Sequence, residues 1–334
     1  MRIAMIGAGA MGGVYGGLLF RNGVDVTLID TREEHVAAIR RDGLKVEGVR
    51  GDHVVRVPAF LTTDGLAPMD VAIVFTDTNA SRLAAKSARA ILKPDGFAMT
   101  LQNGIGNVEA LVDELGAARV VAGVSMNSAA NPAPGRSAYT NAGMTSIGEL
   151  DGADTARIRA MHRMLNDAGI ETEIVADPIA YIWSKFVLNC GINALTAVTQ
   201  LRSGDMFRVP EMNALQERVI DEILGVVAKK GIRLADADPR HTIRSHCRVR
   251  FNKPSMMQHI EQGRRTEIDA INGALVREAH ALGVAVPYNE AIVAVVKGLE
   301  RSSELRAEPP IDYAKREAEA EAEAAKDAAG QPAR

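Results

Sequence analysis

Cysteine is nearly missing from this 334-residue chain: Cys190 and Cys247 are the only two. They form no metal-ligand spacing and cannot build a disulfide framework, so a reducing, cytoplasmic setting is expected and a metal site is not. Aromatic residues are scarce, at 4%. No run of 18 apolar residues occurs, which leaves no candidate membrane span. The apolar start lacks a basic leader and a continuous apolar core, so it does not read as a signal peptide. Neither sign of charge dominates: the net charge is −3, with no basic excess to hold a nucleic acid. No internal repeat is found. What remains is an ordinary soluble composition, 47% apolar and 24% charged, on a chain long enough for two domains.

Glycine is well placed where it occurs. In MRIAMIGAGAMGGVYGG, Gly7, Gly9 and Gly12 follow a strand-like run, Arg2 to Ile6, and open a helical one. The spacing suits a βα turn that receives a dinucleotide pyrophosphate. One Gly makes the tight turn, one lets the phosphate approach, and one lets helix and strand pack. Ala8, Ala10 and Met11 complete the loop, and the helix N-terminus offers N–H groups to the anion. A second strand, Val24 to Ile29, ends at Asp30, 23 residues after Gly7 and suited to a ribose diol.

Alternating patterns continue. Arg32–Arg41 reads as a helix capped by Asp30 or Thr31, with short strands at 44–46 and 54–57. Val71–Phe75, Phe97–Leu101 and Val120–Val124 read as buried parallel strands, and Ala80–Leu92 as a helix. The expected fold class is α/β: an N-terminal Rossmann-type parallel sheet domain, 1–176, then an all-helical domain, 177–312. Helices are expected at 179–198, 210–230, 239–250, 256–282 and 289–300. Residues 313–334, rich in Ala, Glu and Lys, read as a charged tail, disordered or a frayed helix. A cleft between the domains is the expected site.

Three stretches carry candidate chemistry. Lys185, Asn189 and Asn193 are four apart and, at about 100° per residue, share one stripe of an apolar helix. Such polar groups need partners. Either a polar ligand supplies them, or the Lys reaches solvent and the Asn side chains bond to backbone. Asn103 lies in QNGIG beyond a parallel strand's C-terminal end, where it can face cofactor and substrate, or simply make an Asn-Gly turn. Glu267, in RRTEID, reads on its own as a surface carboxylate paired with Arg264.

Taken together and in order, GAGAMGGVYGG, QNGIGN, SKFVLNCGINALTA, PSMMQ and TEIDAINGALV resemble the ketopantoate reductase (2-dehydropantoate 2-reductase) family over nearly the whole chain except the tail. The resemblance implies an NAD(P)-dependent oxidoreductase that reduces a small 2-oxo acid, 2-dehydropantoate to (R)-pantoate in pantothenate synthesis, with a homodimer plausible. It implies that Lys185 donates the proton to the carbonyl oxygen, and that Glu267 lies near that lysine and the cofactor. Asn103, Asn189, Asn193, Ser203 and Ser255 would then contact substrate, and Asn103 and Ala129 cofactor. Ser203 stands where many relatives have Asn. NADP-using members carry basic residues where this chain has Asp30 and Asp77, which would repel a 2′-phosphate. NADH is therefore the expected cofactor, with NADPH admissible through Arg32. Two alternatives are a 3-hydroxyisobutyrate-type dehydrogenase, which QNGIG and TEID argue against, and a non-catalytic nucleotide-binding protein on the same fold.

Overall fold

The computed structural model describes residues 1–307 and 313–330. The first half runs β1 (Arg2–Ile6), α1 (Ala10–Arg21), β2 (Asp25–Ile29), α2 (Glu33–Asp42), β3 (Leu44–Gly48), β4 (His53–Val55), β5 (Ala59–Phe60) and β6 (Met69–Val74). It continues with α3 (Ser81–Ile91), β7 (Leu92–Thr100), α4 (Asn107–Leu115), β8 (Val120–Ser125), β9 (Ser128–Ala130), β10 (Arg136–Asn141), β11 (Thr145–Glu149), α5 (Ala156–Asp167) and β12 (Thr172–Ile174). An eight-stranded sheet takes the order β12-β11-β8-β7-β6-β1-β2-β5. Its pairs are parallel except β11 against β8.

The continuous apolar runs are explained by burial on both faces. Along β1, Ile3 and Met5 enter one core with Tyr15 and Leu28, while Ala4 and Ile6 enter another with Ala84 and Ala88 of α3. That alternation is the period-two geometry of a strand. A second, four-stranded sheet, β4-β3-β10-β9, covers α1 and was not expected as a sheet. Its parallel β10–β3 pair joins segments far apart in sequence, which no local pattern reports.

The second half is helical: α6 (Pro178–Thr199), α7 (Ser203–Phe207), α8 (Pro210–Lys230), α9 (Pro239–Val249), α10 (Ser255–Glu261), α11 (Asn272–Ala281), α12 (Pro287–Ala307) and α13 (Tyr313–Gly330). Asp177 caps α6 by accepting from the Ala180 N–H at 3.0 Å, and Pro178 opens the helix. Apolar almost all round, α6 packs on β8 and β11 on one side and on α8, α9, α10 and α12 on the other. It joins the halves, and its apolar side chains seed a third core with Ile220, Ile243 and Leu275.

Two local readings are corrected. The α2 cap position is Arg32, with no side-chain cap; the Asp30 carboxylate instead accepts from the Arg32 N–H. The helix expected over 256–282 is broken: α10 stops at Glu261, Gly263 turns the chain at φ +64°, and a 3-10 turn, Ile268–Ala270, precedes α11. Of the tail, α13 is helical to Gly330 and residues 314–322 are exposed, while 331–334 lie outside the described residues.

Candidate active site

The Gly loop sits at the C-terminal edge of the sheet. Gly7 holds φ +88°, and a Cβ there would come within 2.6 Å of the Thr76 nitrogen, so only Gly fits. Gly7 and Ala8 N–H groups donate to the Ile29 carbonyl at 2.8 and 3.1 Å, pinning the loop to the end of β2. Gly9 precedes α1 without a side-chain cap and no acidic residue stands in its first turn. The N–H groups of Ala10, Met11 and Gly12 are therefore available to an anion. Ser137 donates to the Gly9 carbonyl at 3.2 Å, and the His35 ring joins the Ala8 carbonyl to the Gly135 N–H at 2.9 and 3.0 Å. Strand β10, the residue before it and α2 thus brace this loop.

Asp30 is buried at the end of β2, where the sequence puts it, but it already has a partner. Arg32 donates to its two oxygens at 2.9 Å each. Burial raises the Asp30 pKa, but the bonds and charge of Arg32 outweigh it, and the net shift is downward. Arg32 also reaches Asn131 at 3.3 Å, a neighbour that the sequence reading missed because it lies in the loop after β9. Ala129, half-buried on β9, is two residues before it. Asp77 is exposed, just before a 3-10 turn at Thr78–Ala80.

The other half of the site forms where the QNGIG turn meets the helical region. The Asn103 carbonyl accepts from Thr78 Oγ1 at 2.6 Å and from Asn107 Nδ2 at 2.8 Å. That fixes the turn and leaves the Asn103 amide to donate to Glu267 at 3.4 Å. Glu267 is 7% exposed, and its carboxylate accepts from the Asn103 amide and not from Arg264 among the described contacts. The surface-carboxylate reading is therefore overturned, because the break after α10 folds this polar segment inward. Burial and the Asp77 charge raise the Glu267 pKa; the Asn103 amide, Lys185 and the Thr78 N–H oppose that rise.

Lys185 projects from α6, half-buried, and donates to the Ser125 carbonyl at 2.5 Å. Burial pushes its pKa down to about 8, against the pull of Glu267. Asn189 and Asn193 follow on the same helix, the first half-buried and the second 8% exposed. Ser255 opens α10, which packs on α6. Ser203 opens α7 beyond the end of α6; it is fully buried and its hydroxyl has no partner among the described residues. Asn103 bonds to Glu267 and the Glu267 charge acts on Lys185, while Ser203 and Ser255 lie on helices that pack on α6. Among the described residues no cluster of His, Cys, Asp and Glu is arranged to hold a metal, and no helix is long and apolar enough to cross a membrane.

This arrangement offers a protonated amine, a neighbouring carboxylate and amides beside a phosphate-ready helix end. That is the equipment for reducing a carbonyl: charge developing on oxygen meets a cation that can also give it a proton.

The family model described as "Ketopantoate reductase PanE/ApbA" matches residues 3–152, and that described as "Ketopantoate reductase PanE/ApbA C terminal" matches 177–300. The chain is 31% identical over 304 residues to 2-dehydropantoate 2-reductase of Halobacterium salinarum, covering 90% of this chain and 99% of that one. A PanE/ApbA family ketopantoate reductase from Ralstonia eutropha JMP134 superposes with a TM-score of 0.84 at 31% identity, covering 91% of this chain and 100% of that one. The ternary structure of D-mandelate dehydrogenase with NADH and anilino(oxo)acetate superposes with a TM-score of 0.85 at 26% identity, again covering 91% and 100%.

Proposed function

The chain belongs to the ketopantoate reductase family, and from that premise we propose that it reduces ketopantoate to (R)-pantoate with a preference for NADH. As a member of the family it is an NAD(P)H-dependent oxidoreductase acting on a CH–OH group. The observation that carries the assignment of roles is the Lys185 amine, held by the Ser125 carbonyl and under the influence of the Glu267 charge.

The Gly7–Gly12 loop fits a dinucleotide: Gly7, Ala8, Gly9, Ala10, Met11 and Gly12 would hold the pyrophosphate, Asp30 the adenosine ribose, and Asn103 and Ala129 the remainder. A nicotinamide held by these residues would supply the hydride for the carbonyl carbon. Lys185 gives its proton to the carbonyl oxygen as negative charge gathers there. With a pKa near 8 the amine is mostly protonated at neutral pH yet releases its proton readily. Asn189, Asn193, Ser255 and Ser203 hold the carboxylate and hydroxyl of the 2-oxo acid, and Glu267 keeps the ammonium in place. The NADH preference rests on Asp30 and Asp77. Arg32, beside Asp30, is spent on the Asp30 carboxylate, so a 2′-phosphate would have to break that pair.

A larger aryl 2-oxo acid is a second reading. It is favoured by the likeness to D-mandelate dehydrogenase and by Ser203, smaller than Asn and without a hydrogen-bond partner. Steady-state oxidation of NADH and NADPH with ketopantoate, phenylglyoxylate and aliphatic 2-oxo acids decides. Highest kcat/KM with ketopantoate and NADH supports the proposal; highest with phenylglyoxylate moves the substrate to the second reading; an NADPH preference removes the cofactor argument.

A further inference from the structure

Next to the lysine lies a cluster of buried polar side chains that the chemistry itself does not use. Ser125, whose carbonyl accepts from Lys185, is the last residue of β8 and is 3% exposed. Its hydroxyl accepts from the Tyr15 phenol and from Asn127 Nδ2, each at 2.9 Å. The Tyr15 oxygen is 2.5 Å from Thr145 Oγ1, and Asn127 Nδ2 also reaches Tyr15 at 2.9 Å and Thr145 at 3.0 Å. Asn127 Oδ1 accepts from the Tyr139 phenol at 2.5 Å and from the Gly143 N–H at 2.8 Å. Tyr15 comes from α1, Thr145 stands opposite Ser125 on β11, and Tyr139 comes from β10 of the small sheet.

A dry pocket between α1 and two strands would pack well with apolar side chains. Filling it with hydroxyls and an amide leaves each of them dependent on its partners, and a satisfied network of that kind admits one arrangement. One backbone bond continues past Ser125: the Met126 N–H donates to the Met144 carbonyl at 2.9 Å. Met126 beyond it is 44% exposed, and the chain turns toward β9. The peptide that carries the strand-end carbonyl is thus held by that backbone bond and by the anchored Ser125 side chain together.

We propose that the Tyr15–Ser125–Asn127–Thr145 cluster is a positioning device for Lys185: it fixes the carbonyl that holds the amine, and through Tyr15 it ties that carbonyl to the helix that carries the dinucleotide loop. The charged group facing the amine is Glu267, with Asp77 behind it. Burial pushes the Tyr15 phenol up to about 12, raises that of Tyr139, and raises the Cys190 thiol on α6, so all three are neutral at working pH. The cluster consequently acts on Lys185 through geometry and not through charge. A carbonyl that accepts from an ammonium favours its charged form, so loosening that carbonyl lowers the lysine pKa.

The kinetic consequence rests on Lys185 being the proton donor; the positional claim is tested without turnover. In the ligand-free protein, competitive acetylation read by mass spectrometry follows Lys185 ionisation against pH in wild type, Tyr15→Phe and Thr145→Val. The wild-type lysine is expected to titrate near 8. Both variants are expected to titrate lower by about half a unit or more. The alkaline limb of kcat/KM moves with them, and kcat falls about tenfold while KM stays within about twofold. If one variant does not fold, the other decides. An unchanged Lys185 titration in a folded variant overturns the proposal, whatever happens to the melting temperature. A shifted titration in a protein that turns over no 2-oxo acid upholds the positioning role and removes the proposed substrate.

Discussion

At the scale of single residues, the informative groups are those whose partners differ from what their position suggests. Asp30 stands at the strand end that the sequence indicates, yet its carboxylate is shared with Arg32 across one intervening residue. A loop contact two residues apart has no periodic signature, so the pairing could not be read from spacing. It makes a sharp prediction. Asp30→Ala removes the ribose acceptor and releases the Arg32 guanidinium toward a 2′-phosphate. The NADH kcat/KM should fall about tenfold and the NADPH value rise about tenfold, each near 1.4 kcal/mol. Equal losses with both cofactors would mean that Arg32 does not face the adenosine end. For Lys185, replacement by Met keeps the stem and deletes the proton. The loss in kcat should be about 10²–10⁴-fold, with NADH affinity, read by fluorescence titration, nearly unchanged. Glu267 shows where residue-level reading fails: its neighbours Gly263, Arg264 and Arg265 look like surface, and only the backward turn after α10 buries it.

At the scale of elements, the site is held by the fit of the QNGIG turn against the 3-10 turn that follows Glu267. Gly104 sits in that fit with φ +80°, and a Cβ on it would come within 2.7 Å of the Ala270 carbonyl. Gly104→Ala therefore meets both backbone strain, about 1–3 kcal/mol, and a collision with fixed backbone. The expected result is a lower melting temperature together with a loss of activity larger than the fraction unfolded, because Asn103 and Glu267 are pushed apart. Activity that tracks only the folded fraction would show that this contact is structural alone. The opening βαβ unit, the buried strand at β6 and the long helices α6 and α8 were legible, since each carries its own period or cap. The small sheet was not. The β9 strand is three small residues, and β10 pairs with β3 across a gap of some ninety residues, so its existence depends on α1 needing cover. The apparent continuity of 256–282 concealed a break because apolar spacing persists on both sides of Gly263.

At the scale of the whole molecule, two cores flank the large sheet, a third fills the helical half, and α6 belongs to both halves. The residues assigned to the proposed site run from position 7 to 267, and Lys185, Asn189 and Asn193 among them lie on that helix. The tail stands outside this economy. Residues 314–322 are exposed along α13. Beyond Ala307 the sequence has seven acidic and four basic residues, a net −3, which equals the net charge of the entire chain. Ending the chain at Ala307 thus leaves a protein of net charge zero at pH 7. Changes at exposed surface positions shift stability by less than about 0.5 kcal/mol each, so kcat/KM should stay within about twofold and the melting temperature should hardly move. Solubility should fall, with a minimum near neutral pH, because the repulsion that separates the molecules has been removed. A truncated enzyme that stays as soluble as the full chain would locate the protective charge elsewhere, and one that melts many degrees lower would mean that α13 docks on the body of the protein.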